Sequence, residues 1–457
     1  MLKIWAILLF GGLLTPSQGL DGAAQVLSRV NPNVLGKIIA DLLHRGDILN
    51  SVLGPVSAGN GGLLNLGNLL DTGLTGLEIK KLTLPKVSLK LLPGVGVQLN
   101  VYTQVLTEGK GLVGKVLNLQ VDVNITTTAR LAQDNEGAPK LIIEDCKTQL
   151  VNVRILLNVL RLRPALLNKD LGNLFPGVLC PLIDTVLDDT VNPLLSTVNS
   201  VVPLGVVGNL QYTLASLPVV SDAVITLDLN AVVEDLLGNK VDDPACSAAT
   251  ISLPSMVGSS SQLGLSVCLL SSVLKLLLAP GNLSTDIAAQ MLPSDIPLTA
   301  SVLRTLIPEV SKLLPESQQP LLKIRVLETP AVSVTNGKVT VRLPASIEVF
   351  PSALPQQSLF VLGADIVLRV QPTISDNKLR ISVALERVGL RLASSLISNF
   401  NVARLEPLIS DILNAVYVPL LNDALGVEIP LPNLLNLNWE NGLVKVINNA
   451  LLVNALA

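Results

Sequence analysis

One proline-marked pattern occurs twice in the chain, and this repetition limits the possible folds more than any other feature. Pro181-Leu182-Ile183 is followed by Pro193-Leu194-Leu195. Far downstream, Pro407-Leu408-Ile409 is followed by Pro419-Leu420-Leu421 at the same internal spacing. Between these landmarks Val186 and Leu187 correspond to Ile412 and Leu413. Past one inserted residue, Pro203-Leu204 corresponds to Pro430-Leu431 and Asn209-Leu210 to Asn436-Leu437. Leucine-rich sequence matches itself by accident, whereas prolines and asparagines held in register do not. Earlier in each half, Thr83-Leu84-Pro85-Lys86-Val87-Ser88-Leu89 resembles Glu328-Thr329-Pro330-Ala331-Val332-Ser333-Val334. Each half thus orders a Pro-containing strand, more strands and a long helix, which implies two domains of one fold.

Hydrophobic periodicity supplies the elements. Leu117, Leu119, Val121, Val123 and Ile125 alternate with polar residues, a period of two that marks a strand with one buried face. Val95, Val97, Leu99 and Val101 alternate likewise. Leu379, Ile381, Val383 and Leu385 alternate until the parity shifts to Val388, Leu390 and Leu392, which predicts a β-bulge at Glu386-Arg387. Long bulged strands suit a strongly twisted antiparallel sheet. Leu405, Leu408, Ile409, Ile412, Leu413, Val416 and Leu420 follow helical spacing, and Pro419, like Pro193 in the first copy, predicts a kink. A curved helix on a curled sheet leaves a long groove between them. The fold class is therefore α+β, with two related domains of curled antiparallel sheet wrapped on a long helix.

Residues 1–19 read as a signal peptide: Lys3 starts it, Ile4 to Leu14 is apolar, and Ser17 and Gly19 suit cleavage after Gly19. The apolar run is shorter than the roughly 20 residues a spanning helix needs, so the mature chain is expected to be secreted. Residues 20–235 form the first domain and 263–457 the second. Between them 236–262, with Asp242-Asp243-Pro244, Pro254, Gly258 and serines at 259–261, reads as a linker or central-sheet region.

Apolar residues make up 49% of the chain but aromatics only 2%, so the apolar surface is almost all aliphatic. Charged residues are 15%, against about 25% in an average domain. Such a chain fills an aliphatic core, with surface left over that can line cavities for apolar ligands. A formal charge of −3 leaves no footprint for nucleic acid. Lys80, Lys81, Lys86 and Lys90 are the densest basic group and read first as a solvated strand edge.

Catalytic chemistry finds little support. His44 is the single histidine and falls near the end of the first helix, where it suits terminal carbonyls. Gly94-Val95-Gly96 lacks the following helix and third glycine of a nucleotide loop and reads as a hairpin turn. Asp188-Asp189 are helical neighbours that point apart, and Asp242-Asp243 lie in the linker. No cofactor and no metal site are expected. Four cysteines in a secretory context permit three pairings. Cys146, ending a strand-like segment, and Cys180, in a helical one, are the favoured disulfide; Cys246 and Cys268 either bridge or stay free, a bridge being preferred. Asn124-Ile125-Thr126 and Asn282-Leu283-Ser284 are glycosylation acceptors, and Asn124 falls on the wet face of its strand.

Leu84-Pro85-Lys86-Val87, Leu91-Leu92-Pro93-Gly94-Val95-Gly96-Val97, Cys146 with Cys180, Leu179-Cys180-Pro181 and Ile429-Pro430-Leu431-Pro432 together resemble the bactericidal/permeability-increasing protein family, in its long palate–lung–nasal-clone branch. The resemblance covers nearly the whole mature chain. It implies a tubular, boomerang-shaped molecule of two barrel-like domains joined by a central sheet, each with an elongated apolar pocket. It also implies that Cys146–Cys180 is the family's disulfide, and it implies roles in lipid transfer and in binding bacterial lipopolysaccharide in innate defence. This chain is slightly acidic where the killing members are strongly cationic, so electrostatic capture of lipopolysaccharide is expected to be weak.

The expected function is burial of phospholipid or another hydrophobic ligand, each methylene contributing about 0.8 kcal/mol. Wall candidates are Val97, Leu99, Leu119, Val121, Val186 and Leu187 in the first half, and Ile381, Val383, Ile412 and Leu413 in the second. The alternatives are an antimicrobial protein that binds lipopolysaccharide or a bacterial membrane surface, and a structural or matrix protein whose pockets are vestigial.

Overall fold

A computed structural model of the chain describes residues 25–44, 54–55, 74–111, 116–157, 164–242, 246, 250–256, 260–279, 283–335, 337–353, 357–397, 400–435, 437–440 and 442–455. The proposed signal segment and Asn282 lie outside the described residues, as do Asp243 and the side chain of His44.

The first half opens with β1 (Val26–Val30) and helix α1 (Pro32–His44). Asn31 starts the helix: its Oδ1 accepts from the N–H of Asn33 at 2.9 Å, with Pro32 already holding a helical φ. Leu35, Ile39, Leu42 and Leu43 face the core. Then come β2 (Gly54–Pro55), β3 (Leu74–Leu82), β4 (Lys86–Leu92), β5 (Gly96–Gly111), β6 (Val116–Gln133) and β7 (Pro139–Leu157). They form an antiparallel sheet in the order β2-β3-β5-β6-β7, with β4 also on β5. Pro85, which cannot donate to a ladder, falls in the break between β3 and β4, where each takes its own stretch of β5. Gly94-Val95-Gly96 is a hairpin turn, and Gly94 takes the positive φ of +71° that the turn requires.

The alternating residues of β6, Leu117 through Ile125, are all buried. Asp122 departs from the pattern: it has the outward parity yet is buried too. Three register shifts against β6 make Glu144, Val151 and Leu156 extra residues of β7, and all three are exposed. Each bulge raises the local twist, and this curls the sheet.

Helices α2 (Pro164–Leu174) and α3 (Pro176–Val186) follow. A π-helical segment, Leu187–Val191, leads directly into α4 (Asn192–Ser196). Pro193 explains that segment. A proline ring clashes with the carbonyl four residues back, and a wider turn relieves the clash; the N–H of Asn192 reaches the carbonyl of Leu187 instead. The half closes with β8 (Ser200–Leu204), β9 (Gly208–Leu214), β10 (Val219–Val220) and β11 (Ile225–Asp235).

The second half repeats the plan: β12 (Gln262–Ser266), α5 (Val267–Leu277), β13 (Thr285–Ala288), α6 (Ala300–Leu306), β14 (Pro320–Val326), β15 (Ala331–Thr335), β16 (Lys338–Pro351), β17 (Phe360–Ser375) and β18 (Lys378–Ser395). The sheet order is β13-β14-β16-β17-β18, completed by β19 (Ile429–Pro430), with β15 on β16. Against β17, the register of β18 slips at Glu386, where the parity shift predicts it, and again at Ala393. Next comes α7 (Glu406–Ile412), then a second π segment, Leu413–Tyr417, then α8 (Val418–Ala424) with Pro419 in its first turn. The expected kink is thus a π segment just before the matching proline in both copies. β20 (Leu443–Ile447) and β21 (Ala450–Asn454) end the described chain.

A third sheet joins the halves in the order β20-β21-β12-β1-β11-β9-β8. β1 and β12, each the strand before the first helix of its half, pair antiparallel at its centre. Its strands flank the 236–262 stretch, which contributes Gln262 and a bridge from Glu234 to Lys240.

Candidate functional site

The ten wall candidates are all buried. They do not converge on one spot. Leu99 pairs with Thr127 and Val97 with Ala129 near one end of the β5–β6 ladder, whereas Val121 pairs with Val105 and Leu119 with Thr107 near the other. They share a face that runs along the domain. Val186 and Leu187 straddle the start of the first π segment, and Ile412 and Leu413 the start of the second. Ile381 and Val383 lie on β18 beneath α7 and α8.

Specific bonds fix each helix to its sheet. Cys146 on β7 and Cys180 on α3 are joined Sγ–Sγ at 1.98 Å. One turn before the end of the same helical run, Asn192 spans the backbone of Leu141: its Oδ1 accepts from the N–H at 2.8 Å and its Nδ2 donates to the carbonyl at 3.0 Å. In the second half, Asn422 on α8 does the same to Val383 on β18, at 2.7 and 3.0 Å. Asp188 accepts from Asn192 at 2.9 Å and faces Lys140 at 3.5 Å, so it serves this clamp.

The duplicated segments differ in how tightly they close. In the first half, α1 packs on β4; a methyl placed on Gly36 would meet Leu89 Cβ at 3.5 Å. The counterparts in the second half are α5 and β15, which begin Val267 and Ala331. Between them lies a cleft of about 390 Å³. Pro330, Val332 and Val334 from the β15 side and Val267 from α5 supply apolar walls; Ser266, Thr329, Ser333 and Lys275 add polar groups. The Cys246–Cys268 disulfide, Sγ–Sγ 1.95 Å, forms one border and the Asn448–Asn449 turn another. Ser266 Oγ caps α5 by accepting from the N–H of Leu269 at 3.0 Å, and Asn449 accepts at its carbonyl from the N–H of Val267 at 2.9 Å. The borders are therefore held by bonds, and the volume falls in the range of small-molecule sites, roughly 300–1,000 Å³.

The Asn448–Asn449 turn also borders a second cleft, about 490 Å³, whose other wall is Thr250–Pro254. That wall is fastened by Arg29, whose Nη1 donates to the carbonyls of Leu253 at 3.2 Å and Pro254 at 2.9 Å. It passes close over β12: a methyl on Gly264 would meet Leu253 Cδ2 at 2.8 Å and Ile251 Cγ2 at 2.9 Å, so a larger residue there displaces the wall. A third cleft, about 430 Å³, lies between Thr373, Ile381, Ser382 and Leu425, beside the Glu428 carboxylate that Lys378 and Arg380 hold below its ordinary range by hydrogen bonding.

Of the wall candidates, Ile381 alone borders one of these three clefts. Sequence reading missed Val267, Val332 and Val334. The match between residues 83–89 and 328–334 marks Val332 and Val334 as strand positions but not as cleft walls, and it says nothing of Val267. Asn124 stands on the outward face of β6, half-buried, between Tyr102 and Gln149. Among the described residues no group of three His, Cys, Asp or Glu side chains could hold a metal ion, and no helix is long and apolar enough to cross a membrane.

Comparison with known proteins agrees with the two-domain plan. Residues 35–196 match the model of the LBP / BPI / CETP family N-terminal domain and residues 207–456 that of its C-terminal domain. The chain is 39% identical to BPI fold-containing family B member 3 of Mus musculus, over 99% of both chains. It is 38% identical to BPI fold-containing family B member 4 of Homo sapiens, over 85% of this chain and 65% of that one. Among solved structures it superposes on lipopolysaccharide binding protein with a TM-score of 0.59 at 20% identity, covering 95% of this chain and 98% of the other, which shows the shared fold. The chain belongs to the LBP / BPI / CETP family, carries its N- and C-terminal domains in order, and falls with the BPI fold-containing family B proteins.

Proposed function

We propose that the protein is a secreted, non-enzymatic carrier that holds phospholipid or another hydrophobic ligand, in the service of innate defence. Family membership supports lipid binding in general. The observation that carries the finer reading is the difference between the copies: α1 packs directly on β4, while α5 and β15 leave a bordered cleft with an apolar floor. Burial of an acyl chain drives binding, and the polar rim that Thr329 and Lys275 supply suits a headgroup. The test is native mass spectrometry of the secreted protein with extraction of what co-purifies, followed by uptake of a fluorescent phospholipid. Bound lipid in the parent, and uptake reduced about tenfold or more in Val334→Trp, which fills the cleft, is the expected result. A chain that is empty and refuses added phospholipid overturns the reading in favour of a structural or matrix role.

One observation favours a second reading, capture of lipopolysaccharide or a bacterial membrane surface: Lys81, Lys86 and Lys90 stand exposed on β3 and β4. Lys80 is less available, since its ammonium pairs with Glu78 at 2.5 Å. Binding that weakens with salt and with the Lys→Gln changes at 81, 86 and 90 supports it; insensitivity to both removes it.

A further inference from the structure

Two turns at one end of the central sheet hold aliphatic side chains in solvent. Asp235 of β11 pairs with Gly208 of β9, so the turn between β8 and β9 stands beside the turn that follows β11. Val206 in the first is 84% exposed; Leu236 and Leu237 in the second are 72% and 86% exposed. The second turn is ordered by its own bonds. Asp235 Oδ1 accepts from the N–H groups of Leu237 at 2.8 Å and Asn239 at 2.9 Å, and its Oδ2 accepts from Asn239 Nδ2 at 2.9 Å. The Gly238 N–H reaches the Asp235 carbonyl at 3.0 Å, and Gly238 takes φ +80°. None of these bonds uses the side chains at 236 and 237, so folding would accept polar residues there. A rigid turn that displays two adjacent leucines points to a partner.

We propose that these tips seat the protein on a zwitterionic lipid surface, with Leu236, Leu237 and Val206 entering the acyl boundary. The shape argues for lipid over protein. Three side chains on two protruding turns offer far less than the roughly 800 Å² per partner of a stable protein interface, whereas a fluid layer closes around protruding aliphatic groups. The backbone argues the same way. Groups that enter lipid must have their hydrogen bonds met internally, and the N–H groups of Leu237, Gly238 and Asn239 all are. The adjoining charges, Glu234 and Asp235 against Lys240, give no attraction to anionic lipid. The proposal goes beyond ligand binding in the clefts: it names the surface from which ligand is collected or to which it is delivered.

The test is flotation of the full-length secreted protein with phosphatidylcholine vesicles, in low and high salt. The parent floats, with little dependence on salt. The double variant Leu236→Ser/Leu237→Ser floats about tenfold less, since two exposed leucines supply most of the apolar contact. Val151→Ser, a change at an exposed apolar position on β7 away from these turns, floats like the parent. Thermal melting is the same for all three, because exposed side chains add little to stability. A double variant that floats like the parent overturns the proposal, as does a parent that binds only phosphatidylserine vesicles and releases in salt. Self-association in sedimentation velocity that the double variant abolishes would overturn it too, in favour of a second copy as partner. Uptake of a monomeric fluorescent phospholipid, unchanged in the double variant, separates failure of docking from failure of the cleft reading.

Discussion

Tyr212 ties the first half to the second: its buried hydroxyl donates to the carbonyl of Pro430 at 3.0 Å, 218 positions away in sequence. Tyr417, in the second π segment, donates likewise to Leu283 at 3.1 Å. Burial disfavours the phenolate and pushes both hydroxyls well above the ordinary value of 10.0. The folded state therefore keeps two protons that the unfolded chain releases near that value. The stability tied to them is complete below pH 10 and falls as pH rises above it. Titration by tyrosinate absorbance, read beside near-ultraviolet circular dichroism, is expected to show these two groups ionising together with loss of tertiary signal. A smooth ionisation near pH 10 with the dichroism intact would contradict their burial. The asparagine clamps belong to this scale as well. Asn192 and Asn422 do not occupy matched positions in the repeat, yet each satisfies both backbone groups of one residue on the edge of a sheet. The same physical need has been met separately in each copy.

Among the elements, the bulge at Glu386 was legible in sequence because strict alternation on both sides exposed the change of parity. The bulges in β7 were not, because two of the residues thrown outward are Val151 and Leu156, whose apolar character hides the break. The π segments were partly legible. Pro193 and Pro419 announce a disturbance, but a 3.6-residue pattern tolerates one wide turn without losing its stripe, so a kink was expected where the helix absorbs the proline by widening. The cleft beside α5 was illegible, since its borders come from residues near 246, 267, 330 and 449, and half of them are polar. The bond between β7 and α3 gives the prediction at this scale. Cys146 and Cys180 are separated by 34 positions, and closing a loop of that size stabilises by about 4 kcal/mol on the chain-entropy account. The double change Cys146→Ser/Cys180→Ser is expected to lower the thermal midpoint by many degrees while leaving strand content, read by far-ultraviolet dichroism, near that of the parent. An unchanged midpoint would mean that the Asn192 clamp and core packing alone hold the helix.

For the whole molecule, the central sheet makes the halves dependent on one another. β1 is paired on both sides, by β11 from its own half and by β12 from the other. Residues 20–235 produced alone would present the β1 edge unpaired, a template for aggregation. Such a fragment is expected to associate into large species in light scattering, and adding the complementary half during refolding is expected to suppress this. A fragment that stays monomeric and folded would show that the first half completes its own sheet.

The position of β21 has a further consequence, in the timing of synthesis. It follows every other described strand in the chain, yet it lies inside the central sheet, between β20 and β12. The flank of β12 that it covers therefore stays open while the nearly two hundred residues between them are made, however early the first half folds. That pairing must wait for the most distant of the sheet's strands, and a chaperone able to shield an open strand would be needed most in that interval.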